Sequence, residues 1–327
     1  MCGFKIGNIE FPEKALFLAP MEDVTDPSFR YICKEFGADM MYTEFVSSDG
    51  LVHNAEKSFK KMEVFDYERP IGIQIYGHIP EAMADAARFA EQRNPDLIDI
   101  NFGCPVNKIA KRGAGSGMMR FPDLMVQITK MVVEAVSLPV TVKTRLGWDE
   151  NSQIIPELAE RLQDVGIKAL TIHGRTRCQM YKGEADWSLI GQIKANPRIK
   201  IPIIGNGDIT DARGAAAAFD RYGVDAIMIG RATYGHPWIF REIKHYLATG
   251  EELPPMSVAE KVELARRHFL KSIEVKGERR GVLEMRRHLN CYFKALDDFK
   301  STRIKLVTEN EPQKVLELLD YIKQRWG

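Results

Sequence analysis

Leu97-Ile98-Asp99-Ile100-Asn101-Phe102-Gly103-Cys104-Pro105 is a short apolar run that ends in a polar, tightly turned segment. Glycine admits backbone conformations that other residues resist, and proline fixes the next φ and removes a donor. A cysteine between them sits at the mouth of a sheet. The run alone reads equally as a turn that tolerates cysteine and as one that aims a thiol at a substrate. Similar apolar runs cover residues 16–19, 40–43, 71–75, 97–100, 140–144, 169–173, 201–205 and 225–230. Helical patterns lie between them, including 82–92, 122–136, 154–165 and 212–222. Strands that are continuously apolar and joined by helices are buried on both faces, as in a parallel sheet.

Eight such units over about 235 residues match the count and size of a (β/α)8 barrel. Beyond the apolar parts come Pro20-Met21, Glu44, Gln74, Asn101 to Cys104, Lys143 and Arg145, His173, Asn206 to Asp208, and Gly230-Arg231. In a barrel all eight ends meet on one face, where barrel enzymes work. A doubly wound sheet is the rival, but about five or six strands are its common number and eight even spacings are left unexplained. After Tyr246 the character changes. Thr249 to Pro255 reads as a linker, and Ser257-Val258-Ala259-Glu260 has capping-box spacing. Helical patterns follow at 258–275, 281–298 and 311–325, the last with Asn310 as a candidate cap and Pro312 in its first turn. The expected architecture is therefore α/β: a TIM barrel over residues 1–248, then a small all-helical C-terminal domain over 254–327.

Net charge is +1, so no global basic field advertises nucleic acid. Cys2, Cys33, Cys104, Cys178 and Cys291 form no CxxC pair and leave one over in any pairing, which argues against a disulfide framework. No signal peptide or bilayer-spanning run is visible. A soluble cytoplasmic protein is expected, with no membrane association, no metal site and no obligate protein partner.

Glycines in Ile203-Ile204-Gly205-Asn206-Gly207-Asp208 and Ile229-Gly230-Arg231 let backbone amides approach a phosphate, and the arginine adds charge. The ends of strands seven and eight are the recurrent phosphate site of such barrels. Gln74, Lys143 and His173 stand at strand ends where they can point to one centre. Each has a plain explanation as a satisfied core residue, but together beside a phosphate site they suit FMN. A flavin does the hydride chemistry while the protein orients it. Cys104 could then give the proton that a hydride transfer to a double bond requires, because a free thiol is mostly protonated at neutral pH. Lys111 to Gly117 is a weak nucleotide signal and reads as a loop covering the site. From Arg266 to Lys305 twelve Lys or Arg face five Asp or Glu, a net of +7, with Tyr292 and Phe293 nearby. Such charge could track a phosphate backbone or could be a solvated helical face.

These residues resemble the tRNA-dihydrouridine synthase family, and most closely its bacterial B-type branch. The resemblance rests on Ile98 to Met118, Ala19-Pro20-Met21 with Val24-Thr25-Asp26, Gln74 to Gly77, Val142 to Arg145, His173 to Arg177, Gly205 to Asp208, Gly230-Arg231 and Arg286 to Leu289. Glu22-Asp23 departs from it, since small residues are common there. The resemblance implies FMN held by Pro20, Met21, Glu22, Gln74, Lys143, His173, Asn206, Gly207, Asp208, Gly230 and Arg231. It implies hydride to uracil C6, a proton from Cys104 to C5, and NADPH as reductant. Candidate tRNA contacts are Asn101, Arg145, Arg175, Arg177, Arg286 and Arg287, with Arg175 and Arg177 adding positive charge at the rim after strand six, and the resemblance requires the uridine to leave its stack. Two rivals stay open: an FMN barrel acting on a free pyrimidine, similar to dihydroorotate dehydrogenases, and a flavin-free RNA-binding barrel.

Overall fold

The computed structural model describes residues 3–53 and 55–327, so Cys2 lies outside it. Eight parallel strands form the barrel: β1 Ala15–Leu18, β2 Met41–Tyr42, β3 Ile71–Tyr76, β4 Leu97–Asn101, β5 Val140–Arg145, β6 Ala169–His173, β7 Ile203–Asn206 and β8 Ala226–Ile229. They pair in chain order, and β8 returns to β1 through Ala226↔Ala15 to Ile229↔Leu18. Between β1 and the start of β2 the ring closes on two bonds, Asp39 N–H to Leu16 O at 2.8 Å and Leu18 N–H to Met40 O at 2.9 Å.

Period-2 alternation explains why these strands read as unbroken apolar runs. Outward residues such as Ile98, Ile100, Val142 and Ile172 pack against the helices. Inward residues such as Phe17, Tyr42, Leu97, Ile204 and Met228 fill the barrel. Toward the carboxyl ends the inward positions turn polar, with Gln74, Asp99, Asn101, Thr141, Lys143 and His173 all on the interior face. At the opposite end an antiparallel hairpin, Phe4–Ile6 with Ile9–Phe11, inserts Ile6 and Phe11 into the same interior cluster. The sequence reading did not contain this plug, although Gly7-Asn8 between two alternating triplets is a hairpin signal.

The outer helices include α1 Pro27–Glu35, α2 Pro80–Glu91, α3 Pro122–Ala135, α4 Ile155–Asp164, α5 Ser188–Ala195, α6 Ala212–Tyr222 and α7 Ile239–Thr249. Four more follow the linker: α8 Val258–Lys276, α9 Glu278–Tyr292, α10 Lys300–Thr308 and α11 Pro312–Trp326. The Ser257–Glu260 capping box is formed, with Ser257 N–H donating to Glu260 Oε2 at 2.8 Å. The expected helix over 281–298 is instead α9, a turn and then α10. Phe293 and Phe299 meet at 5.8 Å between ring centroids, whereas on one straight helix they would point about a third of a turn apart. Asp298 takes a left-handed φ of 53° where the chain bends.

The tail docks on α1. Phe29 packs against His268 and His288 at centroid distances of 5.6 and 4.7 Å. Lys276 and Asp26 make a buried ion pair at 2.7 Å, and the same carboxylate caps α1 by accepting from the Ser28 and Phe29 N–H groups. Among the described residues no helix is long and apolar enough to cross a membrane.

Candidate active site

The carboxyl ends of the strands enclose a cavity of about 620 Å³. Its wall includes Pro20, Met21, Glu22, Asn101, Cys104, Lys143, Arg145, His173, Asn206, Gly207, Asp208, Gly230 and Arg231. Those expected residues therefore converge. Gln74, Arg175 and Arg177 stand outside the lining, and Arg286 and Arg287 lie on α9.

The cysteine turn is held from two sides. Asn101 Oδ1 accepts from the N–H groups of Gly103 and Cys104, both at 2.9 Å. Asn101 Nδ2 donates to Gln74 Oε1 at 2.7 Å, and Gln74 Nε2 donates to Asp99 Oδ2 at 2.6 Å. From the other side Ser116 bonds the Cys104 carbonyl oxygen. Gly115 has a φ of 55°, and a Cβ there would lie 2.9 Å from that oxygen. The Lys111 to Gly117 segment, read from sequence as a cover over the site, is thus packed against the cysteine turn. Gly115 serves this close backbone approach to Cys104, whereas a Cβ at Gly117 would meet the Ala110 carbonyl and one at Gly113 would meet open space.

Cys104 is 8% exposed and faces the cavity. Burial raises its thiol above the ordinary range, against the pull of the Val106 backbone, Arg145 and Lys143. Burial likewise lowers Lys143 to about 8, with Arg145 adding to the effect and Asp99 opposing it. Lys143 Nζ donates to Asn206 Oδ1 at 3.2 Å. His173 is held neutral by burial and by the cations Arg145, Lys143, Arg175 and Arg231. Arg175 can only donate, so its 3.4 Å approach to His173 Nε2 leaves the ring proton on Nδ1. Burial pushes Asp99 up to about 6, with Gln74, Thr141 and Lys143 working against it.

At the end of β7, Gly207 has a φ of 127°, and a Cβ there would lie 2.6 Å from Ala185 Cβ. Only glycine lets this backbone line the cavity. Asp208 is occupied by Arg175 at 2.9 and 2.6 Å, by the Ala185 N–H and by Arg231 at 3.0 Å. Burial would raise this carboxyl, but these donors hold it below its usual range. Asp208 therefore orients Arg231 toward the cavity, while Arg175, buried, braces the loop through the Lys182 and Gly183 carbonyls. Arg145 is also a brace, donating to Gly103, Thr176 and Met180 carbonyls.

The rim adds residues the sequence reading missed. Tyr181 is half exposed and lies under two guanidinium groups, Arg231 at 4.9 Å and Arg145 at 5.6 Å from its ring. No spacing rule marks it, because its neighbours come from different strands. Trp148 is flanked by Arg120 at 4.3 Å and Arg177 at 4.9 Å, and Arg177 also donates to Asn107 Oδ1. Glu22, the departure from the family pattern, pairs with Lys61. Asp23 beside it bonds Arg287, which brings α9 to the cavity mouth. Arg286 turns away, donating to the Thr308 and Glu309 carbonyls and to Asn310 Oδ1.

A family model described as dihydrouridine synthase (Dus) matches residues 17–325. A protein of Proteus vulgaris named tRNA-dihydrouridine synthase B is 43% identical over 89% of this chain and 89% of its own. The protein of that name from Escherichia coli (strain K12) is 40% identical over 96% of this chain and 98% of its own. Among solved structures, a morphinone reductase mutant in complex with tetrahydroNAD shares the barrel, with a TM-score of 0.54 at 15% identity over 77% of this chain and 91% of that one.

Proposed function

The chain belongs to the dihydrouridine synthase family, and from that premise we propose that it reduces the C5–C6 double bond of uridines in tRNA with a bound flavin. The observation that carries this reading is the convergence of Cys104, Lys143, His173, Asn206 and Arg231 on one cavity. The chemistry of this set fits FMN. Arg231 and the glycine backbone of Gly207 and Gly230 suit a phosphate, and the cation of Lys143 suits the electron-rich edge of a ring, with Pro20, Met21, Glu22, His173, Asn206 and Asp208 around it. Gln74 acts from beneath through Asn101. When bound, the flavin supplies the hydride for C6, with NADPH as its reductant.

The chain's own part is the proton. Burial keeps Cys104 as the thiol, so Sγ holds the proton needed at C5 and becomes thiolate on giving it up. Arg145 and Lys143 are the nearby cations that favour that thiolate. Neutral His173 adds no charge to a floor already cationic. Asn101, Arg145, Arg175 and Arg177 hold or flank the path by which a turned-out uridine enters, with Tyr181 as an aromatic surface beside it. The barrel, residues 1–248, is the catalytic domain. The helical part, residues 254–327, is an RNA-binding domain whose Arg287 reaches the mouth, and Arg286 shapes it from within. A cytoplasmic location follows from a tRNA substrate.

The test is to supply the purified protein with FMN and NADPH and to compare tRNA from a strain lacking the gene with free uracil and orotate. Dihydrouridine formed in tRNA alone is the expected result. Turnover of a free base without tRNA, or a protein that takes up no flavin, overturns the reading.

A further inference from the structure

Asp99 is buried inside the barrel and is not among the residues that line the cavity. It accepts from Gln74 Nε2 at 2.6 Å and from Thr141 Oγ1 at 2.5 Å. Buried charge is unfavourable without such partners, so a carboxylate here calls for an explanation beyond packing. The explanation lies in the direction of the hydrogen bonds.

An ionised carboxylate only accepts. Gln74 must therefore turn its NH2 toward Asp99 and its Oε1 toward Asn101. Asn101 must then turn its NH2 toward Gln74, which leaves Oδ1 facing the N–H groups of Gly103 and Cys104. With Gln74 reversed, two NH2 groups would face each other until Asn101 also turned, and with Asn101 reversed an NH2 group would face two backbone N–H donors and the cysteine turn would lose both bonds. The Val106 N–H acts on the Cys104 thiol and Ser116 on the Cys104 carbonyl, so it is Asn101 that holds the Gly103 and Cys104 N–H groups of the turn.

We propose that Asp99 is a positioning residue: as the acceptor at the buried end of the Gln74–Asn101 chain, it sets the polarity that fixes the turn carrying Cys104. This rests on the reading of Cys104 as proton donor, because that role makes the placement of Sγ matter. Asp99 itself gives and takes no proton in the reaction.

The test breaks the chain at its buried end and then rebuilds it. Gln74→Glu sets two carboxylates against each other and drives residue 74 away from Asn101, whereas adding Asp99→Asn supplies an NH2 for the introduced carboxylate and lets it settle back onto Asn101 Nδ2. Two readouts are followed in the full-length protein: alkylation of Cys104 by iodoacetamide, tracked on its peptide by mass spectrometry, and dihydrouridine formed in tRNA with NADPH. Gln74→Glu should alkylate at least about fivefold faster and lower kcat at least about tenfold, and the double variant should return both to within about threefold of wild type. Unchanged alkylation in Gln74→Glu, or no recovery in the double variant, overturns the proposal. If Gln74→Glu alone does not fold, a folded double variant supports it and an unfolded one overturns it. Should the wild type form no dihydrouridine, the functional reading fails, and the alkylation series still decides the role of Asp99.

Discussion

Ser116 bonds the carbonyl oxygen of Cys104 twice, from its hydroxyl at 2.8 Å and from its backbone N–H at 3.0 Å. Together with Asn101 on the N–H side, it fixes both polar ends of one peptide segment. Ser116→Ala removes the hydroxyl bond and should lower stability by about 1 kcal/mol in urea unfolding. Gly115→Ala should do more harm, since it adds a Cβ 2.9 Å from the same oxygen at a φ of 55°. Dihydrouridine formation should fall further in Gly115→Ala than in Ser116→Ala, and equal activity would mean that the support is not limiting.

Cys104→Ala should lower dihydrouridine formation by roughly 10²- to 10⁴-fold, the range of a lost general acid. Its flavin absorbance and its reduction by NADPH should be as in wild type. Because burial raises the thiol, alkylation of Cys104 by iodoacetamide should reach half its maximal rate above the ordinary cysteine range of about 8.5. A midpoint below that range would mean that the turn holds a thiolate and not an acid.

The adjacent arginines should separate. Arg286 satisfies three acceptors at the α10–α11 corner, so Arg286→Ala should destabilise the tail by about 1–3 kcal/mol. Arg287 is exposed and among the described residues bonds only Asp23, so Arg287→Ala should leave the melting temperature nearly unchanged. Its tRNA affinity should be lower, with a shallower dependence on salt measured by filter binding.

His268 and His288 lie fully within the α1–α8–α9 interface, and burial holds both below the usual histidine range, His288 at about 4. A lowered folded pKa means that the unfolded chain binds protons first. Stability is therefore complete above about 6.5 and is lost as pH falls toward 4, by about 3 kcal/mol for His288 alone. Urea midpoints at pH 7 and 4.5 should show this loss in wild type and a smaller one in His288→Asn. Equal losses would place the proton elsewhere.

The eight barrel strands were legible because burial on both faces leaves an unbroken apolar run, and because the inward positions turn polar at one end of each strand. Cys104, Lys143, His173, Asn206 and Arg231 could be read for the same reason. The hairpin was missed because three-residue strands carry too little pattern, and α9 was overextended because the bend at Asp298 is set by Phe293 and Phe299 meeting in the core. Tyr181 and the division of labour between Arg286 and Arg287 depend on partners far away in sequence, which no local spacing encodes. The charge count over the tail overstated its free surface, since Lys276, Arg266 and Arg280 are spent on internal ion pairs.

The hairpin that inserts Ile6 and Phe11 has a kinetic meaning. It caps the amino end of a barrel whose interior is already filled, and among the described residues the cavity opens at the strand ends. Whatever recharges the cofactor and whatever is reduced by it must use that same entrance. A folded RNA seated across the rim would bar a dinucleotide, so the two half-reactions should alternate, each visitor leaving before the next arrives.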